Sequence, residues 1–130
     1  NVDELKDNGE NVLFVEDETG ILEYGRILLS KNGYQVEGSR NAEEALGIFE
    51  KNPGRYDLVI SDVVLPGKTG IELVTALQKK NKDLPVILAS GYTDKKGQHS
   101  RIKEQGWPFL QKPYNSEDLL TKIKQVLNSQ

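Results

Sequence analysis

The chain has 130 residues, of which 36% are hydrophobic and 28% are charged, and its formal net charge at pH 7 is −3. This length suffices for one domain with a single hydrophobic core. The Lys and Arg residues are scattered and form no basic stripe, so we expect no nucleic-acid binding by this domain. The absence of Cys excludes disulfides and thiolate chemistry and is compatible with a cytoplasmic location. No apolar run is long enough to cross a membrane, so we expect no membrane contact by this domain.

Short apolar runs alternate with longer amphipathic segments along the chain, which is the pattern of successive βα units. Strands are predicted at residues 12–15, 34–38, 58–60, 86–89 and 107–110. Helices are predicted at residues 18–32, from Asn41 to Pro53, from Thr69 through Leu77, at 93–104 and at 115–128. The polar residues 1–10 are interpreted as a linker or terminal segment, and residues 11–128 as one domain.

Side-chain spacing supports the predicted starts of two helices. The fourth helix has less support, because few of its residues are apolar. Asn41 with Glu44, and Thr69 with Glu72, have the three-residue spacing of a capping box at the second and third helices. The fourth helix is the weakest prediction, because Ile102 is its only large aliphatic residue. We therefore expect this helix to be held less firmly than the others.

The character of each strand predicts its place in the sheet. The first, third and fourth strands are wholly apolar, as expected for central strands that are buried on both faces. The second strand alternates polar and apolar residues and the fifth contains Pro108, so both are predicted at the sheet edges. With right-handed crossovers, these constraints predict an α/β fold: a doubly wound, flavodoxin-like parallel sheet of order 2-1-3-4-5 with helices on both faces.

Polar side chains follow the strands that form the centre and one edge of this sheet. Glu16 and Asp17 follow the first strand, Asp62 the third, Ser90 the fourth and Lys112 the fifth. Because parallel strands present their carboxyl ends at one edge of the sheet, we expect these five side chains to converge. Three carboxylates, a hydroxyl and an ammonium would then share one shallow cleft.

The chemistry of this cluster favours phosphoryl transfer. Carboxylates that repel one another hold a proton or attract a cation, and open oxygen ligands suit Mg²⁺. With Lys112 and Ser90 placed to bind oxygens, Asp62 becomes a candidate nucleophile that forms an aspartyl phosphate. Plainer interpretations remain for each residue: Glu16 or Asp17 caps the first helix, Ser90 is a turn residue, and Lys112 is solvated surface.

Four segments carry a resemblance to a known family. VLFVEDE, DLVISDVVLPGKTGIEL, VILASGYTD and FLQKPY resemble the corresponding segments of response-regulator receiver domains of two-component signalling, over about residues 11–127. The resemblance implies that Asp62 accepts a phosphoryl group from a phosphohistidine. It further implies that Glu16, Asp17, Asp62 and the backbone carbonyl of Val64 hold Mg²⁺.

The resemblance also implies a switch. Ser90 and Lys112 would bind the phosphoryl group, Phe109 would be the aromatic switch residue, and the face around the fourth helix and fifth strand would change. The bond between Lys112 and the next proline is typically cis in such domains.

Val64 and Tyr92 stand at the positions that flank the path of hydrolytic water. Both are bulky and lack an amide or carboxylate to orient water, which predicts slow loss of the phosphoryl group.

The implied partner is a histidine kinase or a histidine phosphotransfer domain, and a weak homodimer is left open. SGYTD after the fourth strand most resembles the receivers at the carboxyl end of hybrid sensor histidine kinases, whose parent chains are membrane-anchored in some cases. The domain itself would assist its own phosphorylation, whereas kinase activity would belong to the parent chain.

The sequence departs from the common pattern of this family at three positions: Glu16 in place of Asp, Phe109 in place of Tyr, and Gly91 in place of Ala.

Three other functions are weighed against this interpretation. A receiver-like module that is never phosphorylated would serve only to dock partners. A flavin-binding domain of the same sheet order would need a phosphate-cradling loop where the carboxylates of Glu16 and Asp17 repel phosphate. An aspartyl-phosphate hydrolase would need a second acidic residue near the place that Val64 occupies. His99, the only histidine, is interpreted as exposed surface rather than as a phosphorylated or catalytic group.

Overall fold

The computed structural model describes residues 9–91 and 96–129, without the side chain of Lys96. The predicted linker lies outside these residues except for Gly9 and Glu10. The described residues form five strands: β1 (Asn11–Val15), β2 (Gln35–Ser39), β3 (Leu58–Asp62), β4 (Val86–Ser90) and β5 (Phe109–Gln111). They also form five helices: α1 (Thr19–Lys31), α2 (Ala42–Lys51), α3 (Gly70–Lys80), α4 (Lys96–Gln105) and α5 (Ser116–Asn128).

The strands form one parallel sheet in the order β2-β1-β3-β4-β5, which confirms the predicted fold class. All residues of β3 and β4 are buried, and Gln35 and Glu37 of the edge strand β2 are exposed. The prediction for the fifth strand was wrong at both ends. Trp107 and Pro108 precede it, because proline has no N–H to donate to the sheet, and the strand continues to Gln111.

Two hydrophobic cores lie on opposite faces of the sheet, because successive side chains of a strand point to opposite faces. Leu13 and Val15 of β1 belong to the core that includes Phe49 of α2 and Leu77 of α3. The other core, under α1 and α5, contains the buried residues Val12, Phe14, Leu29, Ile60, Ile87, Leu119 and Ile123. Central strands thus bury both of their faces, as their wholly apolar sequences predict.

Side-chain caps fix the starts of three helices. The amide of Glu44 donates to Asn41 Oδ1 at 2.8 Å, and Thr69 with Glu72 forms a reciprocal capping box. A second capping box opens α5, where Asn115 and Asp118 exchange bonds, whereas Asn41 and Glu44 form only one half of the predicted box. Among the described residues, no helix combines the length and the apolar character that crossing a bilayer requires.

Candidate functional site

The carboxyl ends of the strands bring two carboxylates and an ammonium into direct contact. Asp62 is the last residue of β3, Glu16 directly follows β1, and Lys112 directly follows β5. Lys112 Nζ donates to Asp62 Oδ2 at 3.1 Å and to Glu16 Oε1 at 3.2 Å. These three residues come from chain segments 46 or more residues apart, so only the sheet order brings them together. The predicted convergence of these three side chains is therefore present.

The contacts compensate charges that lie away from water. Asp62 is 7% exposed and Glu16 is 2% exposed. Burial lowers the pKa of the Lys112 ammonium, but the attraction of Asp62 and then of Glu16 outweighs burial and raises this pKa above its usual value. Lys112 therefore keeps its charge at neutral pH. A buried charge is tolerated in a fold when it is paired in this way.

Glu16 is held through both carboxylate oxygens. Oε1 accepts from Lys112, and Oε2 accepts from the backbone N–H of Glu18 at 3.1 Å. Burial, and to a lesser extent the charge of Asp62, raises the pKa of Glu16 to about 7, against the lowering effects of the Glu18 amide and Lys112. The N-cap residue of α1 is Glu18, so the interpretation of Glu16 or Asp17 as the cap of this helix is wrong.

The acidic residues form a set of donors that fits a hard divalent cation. Glu16, Asp17 and Asp62 each offer a carboxylate oxygen, and these three atoms lie within 4.8 Å of one another. Asp17 and Asp62 border a cleft of about 250 Å³ that Val64 and Lys112 also line. Carboxylate oxygens in an open cleft are the ligands that Mg²⁺ prefers, since this ion keeps several waters. Half-buried Asp17 is the most accessible of the three carboxylates.

The loop after β3 ends at Gly70, whose close approach to the strand was not predicted from the sequence. A Cβ on Gly70, the first residue of α3, would lie 2.1 Å from the backbone oxygen of Asp62. The amide of Gly70 donates to the carbonyl of Val63 at 2.9 Å, which closes the loop. Val64 is 50% exposed beside Asp62. The signal in the sequence was the glycine directly after Thr69, the predicted cap.

The side chain of Ser90, at the end of β4, contacts a residue of α4. Ser90 Oγ lies 3.1 Å from His99 Nε2, and the His99 ring lies 5.6 Å from the ring of Phe109 at an angle of 59°. The prediction of His99 as exposed surface was wrong, because His99 is half-buried. It precedes buried Ile102 by three residues, and residues three apart lie on one helix face. That spacing was the signal available in the sequence.

A residue that sequence reasoning missed is Tyr114, which follows Lys112-Pro113. The peptide bond between Lys112 and Pro113 is cis, as the resemblance implies. Burial, and then the charge of Glu16, raises the pKa of Tyr114 to about 12, so its hydroxyl stays neutral.

The predicted site residue Tyr92 lies outside the described residues. Phe109 is half-buried on β5.

Comparison with known proteins matches this arrangement to one family. The family model of the response regulator receiver domain matches residues 12–124. Sensor kinase CckA of Brucella abortus is 35% identical over 119 residues, which are 92% of this chain and 13% of that protein. The chain spans 28% and 20% of the lengths of two further curated relatives.

Solved structures of the same fold agree with the family match. The receiver domain of the hybrid histidine kinase CckA has a TM-score of 0.75 and 35% identity, over 90% of this chain and 98% of that one. A CheY-like receiver domain protein of Methanospirillum hungatei JF-1 has a TM-score of 0.85 and 30% identity, over 94% of this chain and 96% of that one. The family match, the sheet order and the cluster of carboxylates and lysine agree, and the chain belongs to the response regulator receiver domain family of two-component signalling.

Proposed function

We propose that Asp62 is the phosphoacceptor of a His-to-Asp phosphorelay. The supporting observation is the position of Asp62 at the end of β3, in contact with Lys112 and beside Glu16 and Asp17. A carboxylate oxygen of Asp62 attacks the phosphorus of a phosphohistidine, the new O–P bond forms, and the N–P bond breaks. The imidazole of the donor leaves with the electron pair and takes up a proton. The donor is a histidine kinase or a histidine phosphotransfer domain.

Lys112 has two roles in this proposal. Its ammonium neutralises Asp62 before transfer, and it remains within reach of the new phosphoryl oxygens after transfer. Positioning and charge neutralisation are the main contributions of a protein to phosphoryl transfer. Ser90 offers its hydroxyl to the same oxygens from the end of β4.

The proposed magnesium ligands are Asp17, Asp62 and the backbone carbonyl of Val64, with Glu16 acting through water. Glu16 is assigned the indirect role because Lys112 and the Glu18 amide already engage both of its oxygens. A bound Mg²⁺ would neutralise charge on the phosphoryl oxygens during transfer. Asp17 keeps its carboxylate half-buried at the cleft, so we expect it to contribute most of the metal affinity.

Mg²⁺-dependent labelling by a small phosphodonor such as acetyl phosphate tests the phosphoacceptor role. The wild-type chain is expected to take up one acid-stable, base-labile phosphoryl group, and Asp62→Asn to take up none. Asp57→Asn is the matched control, because Asp57 lies exposed at the opposite end of β3. Labelling that survives Asp62→Asn would contradict the assignment. A wild-type chain that is never labelled would instead favour a docking module.

Phosphorylation is proposed to switch the face formed by α4 and β5. Among its described residues, α4 buries the apolar side chain of Ile102. Helix α5 buries Leu119, Ile123 and Val126, so we expect α4 to be bound less firmly to the sheet than α5. Amide exchange with and without beryllofluoride, which mimics the phosphoryl group, is expected to differ in α4 and β5 and not in α5. Equal protection of α4 in both states would refute this switch.

The receiver domain is proposed to span residues 11–128 and to be one part of a longer, cytoplasmic or membrane-anchored hybrid histidine kinase. The similarity to the receiver of CckA supports this parentage. Sequencing the complete coding region tests it. A dimerisation and phosphotransfer segment with an ATP-binding domain before residue 1 is expected, and a gene that encodes only a receiver would contradict the proposal.

A further inference from the structure

We propose that His99 is a positioning residue that holds the Ser90 hydroxyl toward α4 in the unphosphorylated domain and so opposes the phosphorylated arrangement. The inference rests on the proposed phosphoacceptor role of Asp62. Its structural basis is the 3.1 Å contact between Ser90 Oγ and His99 Nε2 together with the contact between the His99 and Phe109 rings. One imidazole therefore contacts both residues of the expected switch.

The backbone of Ser90 has little freedom to move. Its carbonyl accepts from the amide of Lys112 at 2.9 Å and from Gln111 Nε2 at 3.2 Å. Ser90 is also the last residue of β4, where it pairs with Gln111 of β5. Any change in its partner must then come from rotation of the side chain, which moves the hydroxyl between α4 and the cleft of Asp62.

The hydroxyl cannot donate to both partners at once. Serine carries one hydroxyl proton, and a neutral imidazole with its proton on Nδ1 accepts at Nε2. With this tautomer the Ser90 hydroxyl donates to His99 across the 3.1 Å contact, and a phosphoryl group on Asp62 can be bound through the same proton only after that bond breaks. His99 thus stabilises the unphosphorylated arrangement selectively, which is the requirement for shifting an equilibrium between two states.

The same histidine links Ser90 to the proposed switching face. His99 and Phe109 both line a cavity of about 420 Å³ beside Trp107. A ring that loses its partner at Ser90 therefore has space to move next to Phe109. Release of His99 would pass the change at Asp62 to β5 without altering the sheet.

The central test is the affinity of the Mg²⁺-loaded protein for beryllofluoride, measured by titration calorimetry. His99→Phe keeps an aromatic ring against Phe109 but removes the hydrogen bond, and is expected to bind about two- to tenfold more tightly than wild type. His99→Gln retains a polar group at the position of Nε2 and is expected to restore an affinity near that of wild type. Gln98→Ala is the matched control, because Gln98 lies half-buried on α4 beside Thr69 rather than Ser90.

A double-mutant cycle shows whether His99 acts through Ser90. In a Ser90→Ala background, His99→Phe is expected to leave the beryllofluoride affinity unchanged. The ¹⁵N resonance of His99 Nε2 should shift in Ser90→Ala and, in wild type, on addition of beryllofluoride. An effect of His99→Phe that persists without the Ser90 hydroxyl would overturn the inference, and so would equal affinities of wild type and His99→Phe. A wild-type protein that binds no beryllofluoride would overturn the proposed function itself.

Discussion

Asp62 and Glu16 share one ammonium, and the consequences differ for the two carboxylates. Lys112 contacts one oxygen of each residue, and Glu16 also accepts the backbone N–H of Glu18. Burial then raises the pKa of Glu16 to about 7, so this side chain keeps a proton at pH values where a free carboxyl has lost it. A neutral Glu16 no longer attracts the Lys112 ammonium by its charge, so this attraction is lost as the pH falls through about 7.

Val64 is the residue whose side chain should control the lifetime of the phosphoryl group. It is 50% exposed at the cleft of Asp62 and has no polar group to orient an attacking water. We expect Val64→Asn to speed loss of the phosphoryl group about fivefold, because one hydrogen bond to the water lowers the barrier by about 1 kcal/mol. Release of inorganic phosphate from the purified phosphoprotein measures this rate.

Val64→Leu is the control for this rate. Leucine keeps the position bulky and apolar, so phosphoryl loss is expected to stay at the wild-type rate. If Val64→Asn and Val64→Leu release phosphate equally fast, the side chain at this position does not act by orienting water.

The close packing of α3 against the end of β3 positions Asp62. Gly70 opens α3, and a Cβ at this position would lie 2.1 Å from the backbone oxygen of Asp62. Gly70→Ala must therefore move either the helix or the end of the strand. We expect it to destabilise the fold by about 1–3 kcal/mol, as overpacking in a core does, and to slow labelling of Asp62. Urea unfolding and acetyl phosphate labelling measure the two effects.

Gly47→Ala is the matched control in α2. Within the described residues, nothing lies within 4 Å of a Cβ at this position. An alanine in a helix interior is about 0.5–1 kcal/mol more favourable than glycine, so this variant should gain stability and keep its labelling rate. A Gly70→Ala protein as stable as wild type would show that α3 and β3 separate easily.

Magnesium binding should be visible in the stability of the whole molecule. A ligand that binds only the folded state stabilises it by about 2.7 kcal/mol at a concentration 100 times its dissociation constant. We expect Mg²⁺ to raise the melting temperature of wild type relative to EDTA. Asp17→Asn should weaken Mg²⁺ binding about tenfold, which removes about 1.4 kcal/mol of this gain.

Glu18→Gln serves as the control for general electrostatic attraction. Glu18 is an exposed acidic neighbour that lines the same cleft, but its carboxylate is not one of the three clustered donors. Its variant should retain nearly the whole response to Mg²⁺ in thermal unfolding. Equal loss in Glu18→Gln and Asp17→Asn would mean that the cleft attracts cations without binding one at defined ligands.

The sequence by itself determined the fold and the main part of the site. Wholly apolar runs identified the central strands, and capping residues such as Thr69 identified helix starts, because both signals are local. The residue that follows each strand could be named in advance, since parallel strands end at one edge of the sheet. Asp62, Glu16 and Lys112 therefore belonged together before any coordinates were known.

Only the tertiary structure decided which atoms meet. The two contacts of Lys112, the closeness of Gly70 to Asp62, and the contact of His99 with Ser90 depend on distances between elements. Hydrophobic periodicity does not encode these distances, and it misplaced His99 because α4 has little apolar sequence to define its buried face. The chemistry of the site followed from strand order, whereas its fine control depends on packing.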